Sequence, residues 1–184
     1  MAKKNPENTA PALRNIFLTG FMGAGKTSAG KLLARALGRP LADSDALAGK
    51  KSGRSISEIA GKKGMAAFRR LEAQCVKELA AGQGRVIALG GGVYPSRRWK
   101  SALAASGTTV FLYCPWAELE KRLKPEADTR PLLKGRWETA ALRAKKLYAS
   151  RLRFYRRADI TISTAGLTPA QTAARIKIAL AKKL

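Results

Sequence analysis

Short apolar runs alternate with longer amphipathic stretches along this chain, and the alternation predicts strands interleaved with helices. A first strand is expected over Asn15–Thr19, and a first helix over 26–37, with Leu32, Leu33, Ala36 and Leu37 on its inner face and Gly38 placed to stop it. A short second strand over 40–42 runs into Asp43-Ser44-Asp45. Beyond it, Ser55-Ile56-Ser57-Glu58 has the form of a capping box, and Gly61 and Gly64 interrupt the helical pattern that follows. From 65 to 80, Met65, Phe68, Leu71, Cys75 and Leu79 give one apolar stripe. Val86-Ile87-Ala88-Leu89 is expected to be a strand buried on both faces, ending in Gly90-Gly91-Gly92.

The same alternation continues with a helix over 95–105, a strand over 108–113 and a helix over 115–123. Periodicity then fails. Residues 124–133 hold two prolines, mixed charge and no stripe, which predicts a mobile loop, expected to act as a lid over 124–136. A helix resumes near Trp137, a strand is expected over 159–163, and Thr168-Pro169-Ala170-Gln171 caps a last helix. The expectation is an α/β fold, with a five-stranded parallel sheet covered by helices on both faces. Residues 1–13 are expected to be a flexible tail ahead of a single domain over 14–184.

Composition narrows the chemistry. A hydrophobic fraction of 46% over 184 residues supports one substantial core, and no apolar run is long enough to span a bilayer. The first residues lack the apolar region of a secretory signal, so a cytoplasmic protein is expected. Cys75 and Cys114 sit in apolar surroundings without ligand spacing and are expected to be buried reduced thiols. The chain has no histidine, which leaves acid–base work to carboxylates, lysines or solvent. A formal charge of +24 is spread over basic pairs such as Lys50-Lys51, Arg97-Arg98 and Lys182-Lys183. That scatter predicts a solvated basic surface, with nucleic acid held only non-specifically.

The candidate chemistry begins at Gly20-Phe21-Met22-Gly23-Ala24-Gly25-Lys26-Thr27, which has the G-x-x-x-x-G-K-[ST] spacing of a phosphate-binding loop between a strand and a helix. Its glycines let backbone N–H groups converge on an anion, and the helix start adds its positive end. Lys26 can reach the outer phosphates, and the Thr27 hydroxyl can ligate magnesium. The buried strand over 86–89 ends in glycine where many nucleotide-binding proteins place an aspartate. Asp43 and Asp45 are therefore the candidate carboxylates, on a strand expected beside the first one.

Taken together, Gly23-Ala24-Gly25-Lys26-Thr27-Ser28, Asp43-Ser44-Asp45, Phe68-Arg69-Arg70-Leu71-Glu72, Gly90-Gly91-Gly92, Arg130-Pro131-Leu132-Leu133 and Arg151 ahead of Phe154-Tyr155-Arg156 resemble shikimate kinase in order and interval. The resemblance runs from Asn15 onward and implies a P-loop kinase fold, with a substrate-binding insertion over 44–80. It implies transfer of the ATP γ-phosphoryl group to the 3-hydroxyl of shikimate in aromatic amino acid biosynthesis, with magnesium, by a monomer. Carried over position by position, it gives the ATP phosphates to Gly23, Ala24, Gly25, Lys26, Thr27 and Ser28, and the metal to Thr27 and, through water, to Asp43. Asp45 would grip the acceptor hydroxyls and take the proton, Arg69 and Arg151 would hold the carboxylate, and Gly90, Gly91 and Gly92 would present bare backbone to the ring. Arg130 would approach ATP from the lid, and Arg122 would border the adenine.

The residues alone leave other readings open. Arg69 could instead pair with Glu72, Arg151 could be one more charge on a basic helix, and Asp43-Ser44-Asp45 could be a helix cap. A gluconate-type or nucleoside monophosphate kinase, or a non-catalytic nucleotide- or nucleic-acid-binding protein, would share part of the pattern. The chain departs from the family where Gly64 is followed by Met65-Ala66-Ala67, a place where an acidic residue is common.

Overall fold

The computed structural model describes residues 14–54, 56–94 and 97–183. The expected tail over 1–13, the Ser55 end of the expected capping box and the expected helix start at 95–96 lie outside the described residues. Five strands form one parallel sheet: β1 (Asn15–Thr19), β2 (Leu41–Asp43), β3 (Val86–Ala88), β4 (Gly107–Tyr113) and β5 (Ile160–Ser163). Their order across the sheet is β2-β3-β1-β4-β5. Every residue of β1 and β3 is buried, so both faces of the central strands are covered. Phe17, Leu18, Ile87, Val110, Phe111 and Leu112 form the middle of that core.

The strand order corrects one expectation. Leu41, Ala42 and Asp43 pair with Val86, Ile87 and Ala88, and β3 in turn pairs with β1, so β2 is the edge strand and not the neighbour of β1. A three-residue strand carries no local record of its partner.

Helix α1 (Lys26–Ala36) follows the phosphate loop and ends at Gly38, but its buried face is Ala29, Gly30, Leu33 and Ala34. Leu32 and Ala36 point to solvent, against expectation. The small residues let the helix lie close to the sheet: a Cβ at Gly30 would stand 3.0 Å from Leu18 and 3.2 Å from Leu41. Helix α2 (Ser44–Ser52) begins where the second strand ends. Helix α3 (Ile56–Ala81) passes through Gly61 and breaks its geometry only at Gly64, with φ 78 and ψ 160. On α3, Phe68, Cys75 and Leu79 are buried as expected, whereas Met65 is 47% exposed.

Helices α4 (Arg97–Ser106), α5 (Trp116–Leu123), α6 (Trp137–Tyr155) and α7 (Pro169–Ala181) complete the layers. The capping box of α7 is present: the Gln171 backbone N–H donates to Thr168 Oγ1, and the Thr168 backbone N–H to Gln171 Oε1. Between α5 and α6 the chain is ordered into two 3₁₀ turns, Lys124–Thr129 and Pro131–Leu133, and Leu133 is buried. Both cysteines are buried free thiols, and burial raises the pKa of each. No helix among the described residues is long and apolar enough to cross a membrane.

Candidate active site

The parallel sheet sends the C-terminal ends of β1, β2 and β3 to one edge, and the candidate residues collect there. Gly23 and Gly25 hold φ of 77 and 86, values that a side chain would strain, so the loop after β1 can fold back on itself. Gly25 then caps α1, whose first residue is Lys26. Lys26 Nζ donates to the Gly20 and Phe21 carbonyls at 2.9 and 3.0 Å, which holds the ammonium over the loop. Burial lowers its pKa to about 8 against the opposing pull of Asp45 and Asp43, while Arg130 and Arg151 also lie near enough to lower it.

Asp43 serves two neighbours at once. Its Oδ1 accepts from the N–H groups of Asp45 and Ala46, capping α2, while Oδ2 accepts from the Thr27 hydroxyl at 2.8 Å. The cap and the carboxylate aimed at the phosphate loop are thus the same residue. β2 reaches Thr27 from the sheet edge because α2 turns its first residue back over the end of β3, where Ser44 Oγ accepts from the Gly90 N–H at 2.8 Å. Thr27 and Asp43 together present hard oxygen donors, a set that fits magnesium beside a polyphosphate.

Asp45 lies deeper. Its Oδ1 is buried and has no hydrogen-bond partner among the described residues. Burial first, then the neighbouring carboxylates of Asp43 and Glu72, raise its pKa to about 6, with Lys26 and Arg69 pulling the other way. A Cβ on Gly90 would come 2.7 Å from Glu72 Oε1 and into contact with Asp45, so any side chain there would have to displace one of the two carboxylates.

Two adjoining cavities meet at this carboxylate. One, of about 680 Å³, is lined by the phosphate loop, Ser28, Asp43 and Arg122; the other, of about 510 Å³, is lined by Met65, Phe68, Arg69, Glu72, Gly92 and Arg151. Asp45, Gly91, Arg130 and Met22 belong to both. In the smaller cavity Arg69 Nη1 pairs with Glu72 at 2.6 Å, and Arg151 Nη1 donates to the Gly91 carbonyl at 3.1 Å. Both arginines therefore enter the cavity with one edge of the guanidinium already fixed. Arg122 donates to the Gly23 and Thr164 carbonyls, tying the loop to the end of β5. Arg130 faces the junction but is ion-paired with Glu126, four residues earlier.

A family model described as shikimate kinase matches residues 22–181, from inside the phosphate loop to the end of α7. The chain belongs to the shikimate kinase family. The shikimate kinase of Geobacter sulfurreducens is 42% identical over 153 residues, 83% of each chain. Among solved structures, the Acinetobacter baumannii shikimate kinase in complex with shikimate is 35% identical and superposes with a TM-score of 0.86 over 94% of this chain and 96% of that one. The Aquifex aeolicus shikimate kinase is 34% identical, with a TM-score of 0.80 over 92% and 97%. As in other shikimate kinases, the nucleotide is ATP with magnesium.

In this member of the shikimate kinase family, the residues singled out from sequence all border the two cavities or the glycine turn between them. Three side chains inside the quoted motifs, given no place in the site by the sequence beyond Glu72 as a possible partner of Arg69, also belong to it. Glu72 is buried against Arg69 and acts on Asp45, Ser44 pins Gly90, and Tyr155 reaches the Gly91 carbonyl. Helix phase carries the signal for two of these: Glu72 lies three residues after Arg69 on α3, and Tyr155 four after Arg151 on α6. Thr164, Leu167, Pro169 and Thr172 also line the larger cavity, and only the position of β5 places them there.

Proposed function

We infer that the chain catalyses ATP-dependent phosphorylation of shikimate at its 3-hydroxyl, and that the junction of the two cavities is where the phosphoryl group passes. The observation that carries this reading is Asp45: a buried carboxylate oxygen without a partner, on the boundary between a phosphate-loop cavity and one entered by two arginines. A hydroxyl placed there has an acceptor for its proton within the site. The acceptor's carboxylate suits Arg69 and Arg151, whose planar forks bind such groups in bidentate fashion. Its ring can lie against the bare backbone of Gly91, beside the Arg69 guanidinium that packs over Gly92.

In this mechanism the acceptor oxygen attacks the γ-phosphorus, the bond from that phosphorus to the β-bridging oxygen breaks, and the hydroxyl proton passes to Asp45. Near neutral pH an aspartate with a pKa of about 6 is mostly ionised and ready to take it. Lys26, and Arg130 once released from Glu126, put positive charge on the equatorial oxygens. Magnesium would be held by Thr27 and, through water, by Asp43, and would supply charge neutralisation at the outer phosphates. The loop amides of Gly23, Ala24 and Gly25, with Ser28 on the first turn of α1, hold the phosphates, and Arg122 borders the adenine. Residues 44–80 act as the acceptor-binding insertion and 124–136 as the lid. The enzyme works as a cytoplasmic monomer, and its basic surface holds nucleic acid only weakly and non-specifically.

The test is ADP release from ATP and magnesium with shikimate, gluconate, a nucleoside monophosphate or no acceptor, with Asp45→Asn alongside. Shikimate-dependent release that the substitution abolishes is expected. Release that depends on a different acceptor, or that survives Asp45→Asn undiminished, would overturn the assignment.

A further inference from the structure

Resting on that reading, Tyr155 stands out among the buried groups that the mechanism leaves unused. It is the last residue of α6, fully buried, with its ring stacked on Phe111 of β4 at a centroid distance of 5.3 Å and an interplanar angle of 22°. Its hydroxyl donates to the Gly91 carbonyl at 2.5 Å. That carbonyl also accepts from Arg151 Nη1, so a tyrosine and an arginine one helical turn apart converge on a single backbone oxygen. On the far side of the same turn, Ser44 holds the Gly90 N–H. The glycine turn, with no side chain to fix it, is thereby held from α2 at Gly90 and from α6 at Gly91. Burial pushes the Tyr155 pKa up to about 12, so the phenol remains a donor throughout the working range.

We propose that Tyr155 is a positioning residue for the acceptor site: its hydroxyl fixes the Gly91 peptide and, through the shared carbonyl, the Arg151 guanidinium that grips the acceptor carboxylate. The aromatic ring supplies packing, and the hydroxyl supplies registration of the glycine turn against α6. Losing the hydroxyl alone leaves the stack on Phe111 in place while the Gly91 peptide and Arg151 gain freedom. The Tyr155 hydroxyl bonds to Gly91 and not to the amides of the phosphate loop, so the larger effect falls on the acceptor side.

Tyr155→Phe in the full chain separates these roles. The shikimate KM is expected to rise about 5- to 10-fold, the size of one lost hydrogen bond, with the KM for ATP and kcat each within about twofold of the parent. Calorimetric titration with shikimate in the absence of ATP should show the same loss. An unchanged shikimate KM and dissociation constant would overturn the proposal. So would a parallel rise in both KM values with a lowered melting temperature, which would make Tyr155 a packing residue only. The parent enzyme, assayed alongside, distinguishes the two levels of inference: no shikimate-dependent turnover in the parent removes the functional reading together with this one, whereas a competent parent and an unaltered variant remove only the tyrosine.

Discussion

Replacing Asp45 with Asn is expected to make the protein more stable while it stops turnover. The carboxyl rises from 3.8 to about 6, first because it is buried and then because Asp43 and Glu72 face it. An acid whose folded pKa exceeds its unfolded one destabilises the fold wherever the unfolded chain would be ionised. The penalty is nearly absent below pH 4, grows between about 4 and 6, and is full above 6. At about 1.36 kcal/mol per unit, a difference of about two units comes to about 3 kcal/mol. Asparagine removes the charge at constant shape and leaves the α2 cap intact, since the capping oxygen belongs to Asp43. For a chain of this length that gain corresponds to about 5 to 10 °C in Tm. Scanning calorimetry of both proteins at pH 4.5 and pH 8 measures it, and the Asn variant should melt higher at pH 8, with a smaller gap at pH 4.5. A variant that melts at or below the parent at pH 8, or a gap that does not change with pH, would refute the account of Asp45 as a strained, buried carboxylate.

Two further outcomes follow from the site geometry. Arg130→Ala should lower kcat by about 100-fold or more while shikimate affinity, measured by calorimetry, stays within about threefold; equal losses in both would remove Arg130 from the transferring phosphate. Gly92→Ala would put a methyl group where the Arg69 guanidinium now lies, about 2.5 Å from its Cζ, and the flexible arginine rather than the backbone would yield. Steady-state kinetics should then show the shikimate KM raised about 10-fold or more, with an unchanged KM for ATP and little change in melting temperature.

What the sequence discloses is local. The phosphate loop, the apolar runs of β1 and β3 and the capping box of α7 lie within a few consecutive residues, and each is where its pattern puts it. The position of β2 is different in kind: nothing in Leu41, Ala42 and Asp43 says that Val86, Ile87 and Ala88 will come between them and β1. The inner face of α1 differs from the one its leucines suggest, because leucines weigh more than alanine and glycine on any hydrophobic scale, whereas close helix–sheet contact selects Ala29 and Gly30. Asp43 offered a choice between cap and functional carboxylate, and it is a cap whose second oxygen meets Thr27. Arg69 likewise both pairs with Glu72 and borders the cavity. Tyr155 stands in sequence only as part of Phe154-Tyr155-Arg156, and its bond to the Gly91 carbonyl depends on how α6 meets the turn after β3.

The edge position of β2 has a consequence for how such an enzyme can diversify. Phosphate-loop residues hang from β1 at the centre of the sheet, whereas Arg69 and Glu72 belong to the excursion that leaves the outermost strand and returns at β3. That excursion can lengthen, shorten or exchange its side chains without disturbing the register of β1 with β3 and β4. Met65 is a position of this kind, half exposed on the rim of the smaller cavity and supporting no core contact. Selection for a new acceptor can act on the margin of the sheet while the machinery that handles ATP is inherited intact.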